Sequence, residues 1–89
     1  MLFGGIRKSS AEQGNAGGQN NLGFMYANGY GVPQDYVLAY MWWNLAAAQG
    51  DENAQEGKDT VEERMTREQI AEGQRLSREW LETHPPGGN

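Results

Sequence analysis

Eighty-nine residues with no cysteine, 37% apolar, 21% charged and a formal charge of −5 leave room for one small domain. They exclude a disulfide framework, a thiolate metal site and a thiol nucleophile. Residues 1–50 balance Arg7 and Lys8 against Glu12 and Asp35, so the negative excess lies in residues 51–89, with ten acids against five bases. That chain lacks the cationic footprint that phosphate neutralisation needs, and no nucleic-acid partner is expected.

In chain order, Met1–Ile6 is too short for a signal-peptide core, and Arg7–Lys8 follow the apolar residues instead of preceding them. On that ground cytoplasmic residence is the default expectation, with a periplasmic one if the chain begins further upstream. Ser9–Gln13 reads as the last turn of a helix from an earlier unit. A shift of 36 residues lays Phe3, Ile6 and Ser10 over Ala39, Trp42 and Ala46. Gly4 and Gly5 weaken that helix.

The same shift matches Ala11 with Ala47, Gln13 with Gln49, Gly14 with Gly50 and Gln19 with Gln55. A period in the mid-thirties is a helix-pair repeat. Gly14 and Gly50 suit the left-handed residue that closes a helix. Asn15 and Asp51 supply the side-chain oxygens that cap the next one. Each junction therefore ends one helix and begins another.

Residues 16–28 are predicted as a first helix with Leu22, Gly23, Met25 and Tyr26 inward. The glycines and proline of residues 28–34 make a turn. Asp35 then caps a second helix from Tyr36 to Gln49, whose inward row is Ala39, Trp42, Trp43, Ala46 and Ala47. The stretch from Tyr36 to Gly50 is uncharged, but its 15 residues fall short of the roughly 20 a membrane span needs. Gly18 and Gly23 cost about 1 kcal/mol each in a helix; they fit a close approach of backbones around the Trp42 ring.

A third helix is predicted over Glu52–Arg64. Thr66 and Gln69 then form a capping box, with Met65 and Ile70 as its hydrophobic staple. The helix so opened runs to about Thr83 with Ile70, Gly73, Leu76, Ser77, Trp80 and Leu81 on its apolar side, and Pro85–Pro86 end it. One domain over 1–89 is expected: a partial preceding repeat (1–14), a full repeat (15–50), capping helices (51–84) and a flexible tail (85–89).

The spacing of Leu22, Gly23, Tyr26, Gly29, Gly31, Asp35, Tyr36, Ala39, Trp42, Ala46, Ala47 and Gly50 resembles the Sel-1-like repeat. Those helix-turn-helix solenoids are related to tetratricopeptide repeats. The match is close over residues 11–55. Residues 56–83 resemble the capping segment often seen in bacterial members, and residues 1–10 match poorly. Gly18 stands where the family usually has alanine. The resemblance implies an all-α fold, an α-solenoid of antiparallel helix pairs. Arrays of this kind generally need about three units to bury a continuous core. A longer array, or self-association, would complete this one.

No catalytic, cofactor or metal constellation survives inspection. Gly29-x-Gly31 has Gln34 at the third glycine position and no strand before it, so it is a turn and not a dinucleotide loop. His84, the only histidine, sits beside Pro85–Pro86 without a rigid nucleophile and acid. Glu52, Glu56, Asp59 and Glu63 share a helix face, but a straight helix does not converge them on a cation. Tyr40 and Met41 leave the inward row, and either the capping helices or a partner covers them.

In helix-pair solenoids the other face of the first helix lines a concave groove. Here it carries Gly17, Asn20, Phe24, Ala27 and Asn28, with amides to pair an extended backbone and one aromatic anchor. The expected function is a protein–protein interaction module or adaptor, not an enzyme, presenting that face to a peptide or protein. The alternative is a self-assembling unit or array fragment, a homo-oligomer through the open N-terminal end. A third reading, β-lactam hydrolysis, comes from cysteine-rich relatives whose disulfide pattern this chain lacks.

Overall fold

Side-chain oxygens start each of the four helices that begin within residues 11–85, the part that the computed structural model describes. Asn15 accepts from the Gly18 amide at 2.9 Å and opens α1, Ala16–Asn28. Asp35 accepts from the Leu38 amide at 3.0 Å and opens α2, Tyr36–Ala48. Asp51 accepts from the Ala54 amide at 3.0 Å and opens α3, Glu52–Glu62. Thr66 and Gln69 close a reciprocal capping box on α4, Arg67–Thr83. Each of these bonds satisfies an amide that the first helical turn leaves without a backbone partner.

The junction glycines behave as their chemistry demands. Gly14 and Gly50 lie at φ of 90° and 97°, where a β-carbon is disfavoured. The helices stop slightly earlier than expected: α2 ends at Ala48 with Gln49 as its C-cap, and α3 ends at Glu62. Among the described residues there is no strand, and the fold is the expected all-α solenoid. The expectations for residues 1–10, including Phe3, Ile6 and Ser10, lie outside the described residues, as do those for 86–89.

The α2 helix is the hub against which α1, α3 and α4 all pack, and α1 also touches α3. Paired positions 26 with 35, 23 with 43 and 14 with 49 run α1 and α2 antiparallel. Tyr40 meets Gly73, and Asn44 meets Ser77, so α4 lies parallel to α2. This is solenoid stacking, with like helices of successive units side by side. Seven α2 residues are buried, among them Tyr40 and Met41. The last helix covers Tyr40, whose ring sits where a β-carbon on Gly73 would come within 2.6 Å.

One expectation is corrected here. The ring clasped by thinned backbone is Trp43, not Trp42. A β-carbon built on Gly23 of α1 would fall 2.6 Å from the Trp43 ring, and one on Gly57 of α3 only 2.5 Å. Trp42 instead belongs to a second cluster with Ala11, Met41 and Leu45, against Leu22, Tyr26, Leu76 and Trp80. Its ring meets Trp80 edge-on at 6.0 Å. The two residues are adjacent, about 100° apart on the helix, and both faces of α2 are buried. An inward row alone therefore does not tell which indole enters the glycine slot.

Polar groups are built into this core with partners. Gln19 is fully buried; its amide donates to the Ala11 carbonyl at 3.3 Å and its oxygen accepts from Gln49 at 2.9 Å. Gln49 also donates to the Gly14 carbonyl at 2.7 Å. The matched glutamines thus tie the first junction to the end of α2. The corresponding Gln55 bonds Asp59 on the surface instead.

Candidate functional site

A groove of about 760 Å³ runs between α1 and α3. Its floor is Trp43, held between Gly23 and Gly57. One wall is Asn20, Asn21, Phe24, Ala27 and Asn28 from α1; the other is Asn53, Glu56, Gly57, Thr60 and Val61 from α3, with Arg64 just past its end. Gln34 and Tyr36 close one end. The two first helices lie side by side only because α2 packs on both, so the groove is a product of stacking.

Of the five concave-face residues expected from sequence, four line this groove and Gly17 does not. Phe24 is 52% exposed, a costly state for a phenyl ring, and meets the 58% exposed Tyr30 edge-on at 5.6 Å. Asn28 donates its amide back to the Phe24 carbonyl at 2.9 Å. Asn20 is not a free contact residue: its oxygen accepts the Trp43 indole N–H at 2.9 Å, which fixes the floor.

The α3 wall was missed by sequence reasoning, which considered the first helix alone. The signal was nevertheless present. Adding the 36-residue period to Gly17, Asn20, Phe24 and Asn28 gives Asn53, Glu56, Thr60 and Arg64, and all four line the groove. The groove is one face read twice.

The signature residues serve the frame. Leu22 and Tyr26 are half-buried against the Trp42 cluster, and the Tyr26 carbonyl accepts from the Asp35 amide at 2.9 Å. Gly29 and Gly31 turn the chain at positive φ, Ala39 and Ala46 are fully buried, and Ala47 packs partly against the Trp43 cluster. Tyr36 also packs there while reaching the groove wall.

Behind α2, Lys58 donates to Asn44 at 3.3 Å, and Asn44 donates to the buried Ser77 hydroxyl at 3.1 Å. Ser77 donates onward to the Gly73 carbonyl at 2.9 Å, which makes it a structural group that locks α4. Burial raises the Tyr40 phenol above its ordinary range, opposed by the hydrogen bond from Gln74. His84 stacks on the exposed end of α4, its ring 4.1 Å from Trp80 and nearly parallel. Among the described residues, no three His, Asp or Glu side chains gather as a cation site requires.

Residues 16–51 match the Sel1 repeat family. The crystal structure of a protective antigen present in uropathogenic Escherichia coli strains, displaying an SLR fold, superposes with a TM-score of 0.84 at 31% identity. The match covers 90% of this chain and 17% of that one, so this chain spans a short stretch of a much longer protein. No curated protein sequence matches.

Proposed function

With residues 16–51 forming a Sel1 repeat and the chain carrying the Sel1-like-repeat fold, we propose that it is an interaction module that holds an extended peptide in the groove between α1 and α3. Sel1 repeats generally mediate protein–protein interaction. The observation that carries the finer reading is Phe24, half-exposed on a wall otherwise rich in side-chain amides. Asn21 and Asn53, together with the groups of Asn20, Asn28 and Gln34 not bonded to Trp43, Phe24 and Ala27, offer donors and acceptors to a peptide backbone, and an aromatic ring offers an anchor. The reading assigns the groove no chemistry: recognition is its whole task. Among the described residues no helix is long and apolar enough to cross a membrane.

The test is selection of displayed random peptides on the full chain, followed by binding titrations with synthetic versions of those enriched. Phe24→Ala is expected to weaken them at least about tenfold, the effect of a central aromatic anchor, with unchanged helical circular dichroism. Peptides that bind Phe24→Ala as well as the parent would overturn the groove assignment.

A further inference from the structure

The groove carries charge at two places only: Glu56 and Arg64 are its charged lining residues, and they have opposite sign. They stand eight residues apart, Glu56 in the middle of α3 and Arg64 just beyond its end, which places them about 12 Å apart along the helix direction at the helical rise. Thr60 lies between them on α3, and Phe24, its counterpart one 36-residue period earlier on α1, lines the same groove. The salt bridges among the described residues are both made by Arg75 on α4, so neither Glu56 nor Arg64 is neutralised there. An extended segment rises about 3.3 Å per residue, and 12 Å therefore spans three to four residues.

Resting on the peptide-groove reading above, we infer that the groove selects an extended segment in which an apolar side chain stands midway between a basic and an acidic residue four positions apart, so that all three face the same side of the strand. The basic side chain pairs with Glu56, the apolar one covers Phe24, and the acidic one pairs with Arg64. Such exposed pairs contribute orientation and selectivity more than affinity. The charge order also fixes which way the segment runs. A uniformly acidic segment would set a like charge against Glu56, and a uniformly basic one would set a like charge against Arg64.

The same displayed-peptide selection tests this at low ionic strength, run on the parent chain, Arg64→Glu and Glu56→Lys. Parent-selected peptides are expected to share an apolar residue between unlike charges. They should lose about tenfold in affinity on Arg64→Glu, and Arg64→Glu should itself select a basic residue in place of the acidic one. Both side chains sit on the helix surface, and circular dichroism checks that the variants remain folded. Enriched peptides with no charge pattern, or affinity for Arg64→Glu within about twofold of the parent, overturn the charge-order inference. If Phe24→Ala still weakens those peptides, the groove reading stands without it. Failure to enrich any peptide, or indifference to Phe24→Ala, brings down the groove reading itself.

Discussion

Trp42 and Trp43 are neighbours in the chain with similar exposures, 9% and 7%, yet they are buried by different means. Trp43 is gripped by main chain, between Gly23 and Gly57, and its N–H is fixed by Asn20. Trp42 lies among side chains, Leu22, Leu76 and the edge-on Trp80 ring, each able to change rotamer. Backbone walls cannot relax into a void or away from an added atom without moving a helix. Side-chain walls can do both. The Trp43 slot is therefore the rigid part of the molecule, and it is also the floor of the groove.

The largest expected effect separates the two indoles directly. Trp43→Ala should cost about 3–5 kcal/mol, the usual range for emptying a large aromatic site, and Trp42→Ala less, since its neighbours can collapse inward. Urea unfolding of both variants measures the difference. Equal losses, or a greater one at Trp42, would break the contrast.

Glycine replacement sharpens it. Gly57→Ala gains about 1 kcal/mol of helix propensity, but its methyl group would sit 2.5 Å from the Trp43 ring. Overpacking should win, with a net loss of about 1–3 kcal/mol in thermal unfolding. In a Trp43→Leu background the same change should become neutral or stabilising. A stabilised Gly57→Ala in the parent would show that the slot yields after all.

Asn20→Ala should cost about 1–3 kcal/mol, because the largely buried Trp43 indole loses its acceptor. In a Trp43→Phe background it should cost little, and chemical denaturation of the four chains closes the cycle. Asn20 is thus a poor probe of peptide contact alone, whereas Phe24 is a clean one.

The smallest effect lies on the exposed face of the last helix. Hydrogen bonding to Arg75 holds the Glu72 carboxyl below its ordinary pKa, and Arg75 also pairs with Glu79 on the exposed face of α4. A carboxyl whose pKa is lower folded than unfolded adds stability above its unfolded value and loses it as pH falls through the folded one. The melting difference between the parent and Arg75→Gln should be slight at neutral pH and vanish in acid. A difference that persists in acid would mean that Arg75 acts by packing instead.

The frame was legible in the residues for a physical reason: caps, left-handed glycines and a 36-residue period are local signals. Asn15, Asp35, Asp51 and Thr66 each act within their own first turn, so no distant contact can move them. The candidate groove was half legible. Phe24, Ala27 and Asn28 were readable from one helix, and Asn53, Thr60 and Arg64 needed the period applied once more. The coverage of Tyr40 by Gly73 was open in sequence, since the pattern on α2 is apolar nearly all round and points to no single partner.

By itself, then, the sequence determined where each helix starts, where it stops to within two residues, and that the helices would pair with a fixed repeat, because capping and turn geometry are settled within a few residues. Tertiary structure alone decided which indole enters the glycine slot, which amide is spent on holding it, and that α1 and α3 stand close enough to form a groove. Those outcomes depend on how rigid helices meet across sequence separations of 14 to 23 residues around Trp43, where shape and not local preference selects the partner.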